Sequence, residues 1–327
     1  MEPRFLHLDV HRWDNCLKSD LVVGGLYNWH LAMGGDILLW DEVGPKMKDY
    51  DIIFIPINGH TINSRLISRA KDMVGDDVKV ITAVDYAREI WSRTIPDILH
   101  HLRHELLAAD FIWTADGAHI PYLQALTNGQ RHINFLPHPV DVDKLSTHAV
   151  TKEDREKDVS VYIHRYDNDW VTPWLATKNL PWPMLVICGA DIAPTLPPYF
   201  QDVRQPMPFV EYVPWQAQRY VSLDSCNMIH TFGRMQVENA ALGIPTVGTE
   251  NVEAQKFLWP RLVTKAGDAV KQAELVARLF DDTAFYDEVV KYAAIHARWY
   301  SHENAKKQLI THLYTKDSSD GIKVQKD

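Results

Sequence analysis

HTFGRMQVENAALGIPTVGTE, residues His230–Glu250, is the stretch on which the reading of this chain turns. Met228–His230 predicts a strand, Phe232-Gly233-Arg234 a glycine-containing turn and Met235–Leu242 a helix. Gly243-Ile244-Pro245 then stops that helix before a further short strand at Pro245–Val247. Upstream the alternation runs back through a helix at Ala217–Leu223, strands at Phe209–Val213, Met184–Gly189 and Val159–His164, and a helix near Pro173–Lys178. Downstream, Ala269–Phe280 and Thr283–Tyr314 are helical by periodicity, and residues 316–327 read as a frayed, flexible tail. The first half has the same rhythm. Strands are expected at Arg4–Val10, Asp36–Trp40, Asp51–Ile57, Val78–Val84, Phe111–Thr114 and His132–Leu136, and helices around Tyr27–Met33, Ile62–Met73, Pro96–Ala108 and Ile120–Thr127. Short apolar runs alternating with longer amphipathic segments are the pattern of parallel α/β sheets. Between the halves, the charged run TKEDREKD (151–158) has no apolar spacing and reads as a solvated hinge. The expected fold class is therefore α/β, with two Rossmann-like domains (1–150 and 151–315) facing a central cleft, and helices closing the second.

Composition narrows the function. At 327 residues, with 46% hydrophobic and 24% charged residues, the chain is an ordinary globular protein long enough for about two domains. Its longest apolar stretches, such as DIIFIPI, fall short of the ~20 residues a membrane helix needs, so no transmembrane segment is expected. The charged N-terminus MEPRFLHLDVHRWD is unlike a signal peptide, and a cytoplasmic protein is expected. Three cysteines, Cys16, Cys188 and Cys226, cannot form a disulfide framework and lack metal-ligand spacing. Sixteen histidines are scattered with no HExxH, so no metal site is expected. A formal charge of −9 provides no global positive field for nucleic acid or anionic lipid, although a local basic cleft is compatible with it.

The central stretch also resembles a known signature. Phe232, Gly233, Glu238, Ala241, Gly243 and Pro245 match, in register, the E-x-F-G-x-x-x-x-E-A-x-A-x-G-x-P segment of family-four-like retaining glycosyltransferases of the GT-B fold. Phe135–Asp141 (FLPHPVD) is similar to the segment ending the N-terminal domain in that group, and PMLVICG with FVEYVPW to the pair surrounding the donor base. The resemblance implies a nucleoside diphosphate sugar as co-substrate, a UDP-sugar foremost, with no other cofactor, no metal and retention of configuration. It implies donor contacts from His230, Thr231, Phe232, Gly233, Arg234, Met235, Glu238, Gly189 and Val213. The turn leading into a helix leaves backbone N–H groups free for phosphate, Gly233 permits close approach, and Glu238 can accept from two ribose hydroxyls. A solvated Glu238 and a routine glycine turn are the plainer alternatives. Two departures stand out. His230 replaces the first motif carboxylate, and Trp170 occupies the register of the lysine in the diphosphate clamp, where Arg165 matches the arginine. Arg234 is the natural substitute cation, with an ordinary salt bridge as its alternative, while Arg165 has Asp167 or Asp169 as structural partners.

On the N-terminal side, Gly24 and Gly25 resemble the glycine loop where acceptor and donor phosphates meet in this fold, with a plain turn as the equal alternative. Asp85, after the strand VKVITAV, is a candidate acid/base and equally a helix cap. Together with Arg165 and Arg234 it completes the catalytic set, and His60 and His138 are acceptor-side candidates or plain loop residues. More distant similarity to phage glycosyltransferases acting on hydroxymethylated DNA bases points to a DNA acceptor. Arg88, Trp91, Arg93, His100, His101, Arg103 and His104 would supply its basic track or simply a solvated helix face. Polysaccharide glycans, lipid-linked acceptors and proteins remain open as acceptor classes. A nucleotide-sugar epimerase and a silent nucleotide-sugar-binding protein are the competing functions, and neither acceptor nor oligomeric state is legible.

Overall fold

The computed structural model describes residues 2–9, 26–57, 65–85, 96–163, 169–188, 202–204, 207–224, 226–227 and 229–314. Its strands are β1 (Phe5–Asp9), β2 (Asp36–Leu39), β3 (Ile52–Phe54), β4 (Lys79–Val84), β5 (Phe111–Thr114), β6 (Ile133–Phe135), β7 (Glu156–Ile163), β8 (Met184–Cys188), β9 (Asp202–Arg204), β10 (Arg219–Leu223), β11 (Thr246–Thr249) and β12 (Val263–Thr264). They form two parallel six-stranded sheets, in the orders β2-β1-β3-β4-β5-β6 and β12-β11-β10-β7-β8-β9. Every residue of β1 and of β10 is buried, as expected of parallel strands covered by helices on both faces. Leu6, Ile53, Val80 and Leu102 belong to one core, and Val159, Val221, Val237 and Val247 to another.

Most expected elements of the first half occur within a residue or two, and Pro96–Ala108 and Phe111–Thr114 match end to end. The second half brings corrections. Phe209–Val213, expected as a strand, opens the helix Phe209–Ala217. Its buried positions Phe209, Tyr212, Val213, Gln216 and Ala217 follow helical spacing, which Pro214 inside the helix disguises. Conversely, Ala217–Leu223, expected as a helix, is largely β10, a central strand buried on both faces and so without alternation. No strand covers His230. Instead Thr231 makes a single parallel bridge with Val252. Val213, expected at the donor, is wholly buried in the second core.

The charged run is solvated only in part, and it runs into the second sheet rather than forming a hinge. Glu156 opens β7, while Arg155 and Asp158 are buried. Arg155 donates to the Val150 and Leu242 carbonyls (2.8 and 2.6 Å) and to the Tyr286 hydroxyl (2.9 Å), closing the end of the Arg234–Leu242 helix. Asp158 pairs with Arg219. The two charges of the run that are buried, Arg155 and Asp158, are the ones held by these partners. The terminal helices also divide between the sheets. Thr283–Ala297 packs on Arg234–Leu242, whereas His302–Tyr314 sends Ala305 and Leu309 into the first sheet's core beside Phe5, Trp29 and Trp113. The crossing is pinned where the Val140 N–H donates to the Tyr300 carbonyl (2.8 Å). Residues 315–327 lie outside the described residues.

Candidate functional site

Parallel strands deliver their carboxyl ends to one edge, and the first sheet places chemistry there. Asp85 directly follows β4, with its N–H bonded to the Ile57 carbonyl (3.0 Å). His138 lies just beyond β6, buried, and its Nε2 is 3.3 Å from Asp85 Oδ1, whose side chain is about half exposed. Two residues singled out separately are thus adjacent. The segment that Asp85 would cap lies outside the described residues. After β5, two residues that the sequence reading missed, Asp116 and His119, are also buried, 3.8 Å apart, and Gly117 beside them faces Glu253 of the second half at 3.7 Å from an ideal Cβ.

The second half contributes the Gly233 turn. Gly233 has φ +86°, and a Cβ there would sit 2.1 Å from Val252 Cγ1 and 2.7 Å from Gln236 Oε1, so both conformation and space require glycine. The preceding loop is fixed by backbone bonds: Thr231 N–H to the Asn251 carbonyl (3.1 Å), Glu253 N–H to Thr231 (2.9 Å) and Ala254 N–H to Phe232 (2.9 Å). Phe232 is buried against Tyr300 and meets the His138 ring edge-on at 5.2 Å, which joins the two sheets' ends. His230, Thr231 and Met235 are half-buried around the turn, and Met235 Sδ lies 4.0 Å from Ser222 Oγ.

The helix Arg234–Leu242 starts at this turn with no side chain capping it, so its first N–H groups point outward from a positive dipole end. Arg234 Nε sits 2.7 Å from Glu238 Oε1, one turn on. Glu238 is buried, and burial pushes its carboxyl above the ordinary value while the Arg234 charge pulls it back. The Arg234 guanidinium also lies 5.4 Å over the Phe209 ring. Tyr212, next to Phe209 on that helix, has its hydroxyl pKa raised by burial and by the Glu238 charge. These aromatic neighbours went unseen because their segment was read as a strand. The salt-bridge alternative for Arg234 is thus the contact the structure shows, with Glu238 as its partner.

Arg165, Gly189, Gly24, Gly25 and His60 lie outside the described residues, as do Arg88, Trp91 and Arg93. Trp170 precedes the helix Val171–Thr177, which Asp169 caps through the Val171 N–H (2.8 Å) while also accepting from Asn227 (3.1 Å). Among the described residues no group of His, Cys, Asp and Glu could hold a metal ion, and no helix is long and apolar enough to cross a membrane.

No protein-family model matches the chain, and no curated protein matches it in sequence. Solved structures do. The Anabaena protein Alr3699/HepE in complex with UDP superposes with a TM-score of 0.72 at 13% identity, over 95% of this chain and 99% of that one. An α-glucosyltransferase in complex with UDP-glucose and DNA containing an abasic site gives 0.69 at 11% identity, over 96% and 99%. The trehalose-6-phosphate synthase OtsA gives 0.72 at 12% identity, over 95% and 98%. These neighbours are GT-B glycosyltransferases, and the likeness extends over nearly the whole of each chain. The two facing parallel sheets are those of a GT-B fold.

Proposed function

We propose that the chain is a glycosyltransferase that moves a sugar from a nucleoside diphosphate sugar, with a UDP-sugar as the favoured donor, to a hydroxyl acceptor. The observation that carries the reading is the Gly233 turn: an obligatory glycine, an uncapped helix N-terminus and an arginine, held by Phe232 against the Asp85–His138 pair. UDP or UDP-glucose in neighbours of the same fold supports the choice of donor. In this reading the second domain, from about residue 151, holds the donor. Glu238 takes the ribose, and Arg234 with Arg165 neutralises the departing diphosphate, so that charge is stabilised by guanidinium groups and N–H dipoles without a metal. His230, Thr231, Phe232 and Met235 border the donor sugar, with Gly189 beside the nucleotide. On the other side, Asp85 oriented by His138 handles the acceptor proton, and Gly24, Gly25 and His60 line the acceptor path. Retention of configuration follows from the resemblance.

For the acceptor, a hydroxymethylated DNA base is supported by the helix Pro96–Ala108, which exposes His100 and His104 beside His101 and Arg103. A glycan would leave this face unused. A cytoplasmic setting agrees with Cys188 and Cys226 being buried thiols rather than disulfide halves. Trp170, in the place of a clamp lysine, favours a second reading, a protein that binds nucleotide sugars without transferring them. UDP binding with no turnover of any UDP-sugar and either acceptor class would select it. The deciding experiment is a thermal-shift panel of nucleoside diphosphates and their sugars. UDP and its sugars should raise the melting temperature, by the equivalent of about 2.7 kcal/mol at a hundredfold excess over Kd. No shift with any of them would overturn the proposal.

A further inference from the structure

Arg234 and Glu238 were assigned to opposite ends of the donor, yet they hold each other. The contact is short, 2.7 Å between Nε and Oε1, and the two side chains differ in access: 4% of the Glu238 side chain is exposed against 26% of Arg234. Helical side chains lean toward the N-terminus, so Glu238 reaches back to the turn and Arg234 lies over it. Apart from this pairing and the Phe209 ring, Arg234 has no hydrogen-bond or ion-pair partner among the described residues. The guanidinium, the more exposed of the two groups, thus sits on the carboxylate oxygen that a ligand's hydroxyls would use.

Resting on the donor reading above, we propose that the Arg234–Glu238 pair is an internal stand-in for the donor, which a nucleoside diphosphate displaces at both ends together and a nucleoside does not. Ribose hydroxyls take the Glu238 carboxylate while the diphosphate takes the released Arg234 guanidinium, so each charge exchanges one partner for another. A nucleoside supplies only the hydroxyls. It must separate the pair and leave the guanidinium without an anion. The pair thus selects for the diphosphate through what it withholds from ligands lacking one, which makes Arg234 a specificity-determining residue as well as a phosphate ligand.

Calorimetric titrations of uridine and UDP into the wild type, R234Q, R234K and E238Q test this. In R234Q the two ligands should move in opposite directions. Uridine should bind more tightly, by about threefold or more, because the carboxylate is uncovered, whereas UDP should weaken on the order of tenfold or more. R234K, which keeps a counter-charge beside the buried carboxylate and guards against a folding defect, should show the same signs with smaller changes. E238Q should weaken uridine, because a neutral amide accepts more weakly from the ribose. Uridine affinity unchanged or lowered in both arginine variants would overturn the stand-in while leaving the donor site in place. A wild type that binds neither UDP nor any other nucleoside diphosphate would instead overturn the donor reading itself.

Discussion

The two ends of the cleft are built in different ways. The second-sheet end is a continuous piece of chain: a turn whose glycine cannot be replaced, a helix start, and two charges one helical turn apart. The first-sheet end is assembled by topology. Asp85 and His138 come from the ends of β4 and β6, which are separated by β5 in the sheet, and meet only because all three strands run parallel. A contiguous site can be recognised as a motif, whereas an assembled one becomes visible only when the sheet order is known. The comparison also predicts a division of labour, with binding concentrated at the contiguous end and proton handling at the assembled one.

The largest expected effect breaks that division at the assembled end. Asp85→Asn should slow sugar transfer on the order of 10²- to 10⁴-fold, the usual range for losing a general acid–base group, with UDP affinity within about twofold of wild type. Near-normal turnover would reduce Asp85 to a helix cap, a role asparagine fills equally well. Gly233→Ala strikes the other end. Positive φ and the clash with Val252 Cγ1 should together lower stability by about 2–4 kcal/mol in urea unfolding and weaken UDP binding. An alanine variant with wild-type stability would mean that the turn relaxes and is not obligatory.

A smaller change sharpens the link between the ends. His138 holds Asp85 on one side and touches Phe232 on the other, so His138→Gln should lower kcat by about tenfold to a hundredfold through misplacement, with KM for the donor little changed. A matched loss in donor affinity would instead assign the histidine to the donor. The smallest effect is on stability. Burial pushes the Asp224 carboxyl from 3.8 up to about 6, while the Cys226 and Thr249 N–H groups pull it down. A raised folded-state value means that the stabilising contribution is full below pH 3.8 and is lost as pH rises to about 6. Asp224→Asn keeps an acceptor for the Cys226 N–H and should flatten the stability profile over that window by on the order of 1 kcal/mol. A profile as steep as the wild type's would show that another group titrates there.

Legibility in the sequence followed the same line. The strands of the first sheet and the helix Pro96–Ala108 declared themselves because local period, proline and apolar runs agreed with the final packing. Phe209–Ala217 and β10 were exchanged because Pro214 weakens a helical pattern and a central strand has none to show. The charged run leading into β7 reads as solvent-exposed throughout, since nothing local tells Arg155 that its acceptors are the Val150, Leu242 and Gly243 carbonyls and a tyrosine hydroxyl. At the candidate site, Gly233, Arg234 and Glu238 can each be named from the sequence, and the Arg234–Glu238 contact cannot. Asp85 and His138 were legible singly, and their adjacency belongs to the fold.

In this reading nucleotide is held at the Gly233–Arg234 turn, and chemistry is done at the Asp85–His138 pair opposite it. UDP-induced melting shifts in the wild type, Arg234→Gln and Asp85→Asn test it most directly. Equal shifts are expected for the wild type and Asp85→Asn, and a shift cut to about half or less in Arg234→Gln. A full shift in Arg234→Gln, or a shift lost in Asp85→Asn, would contradict it.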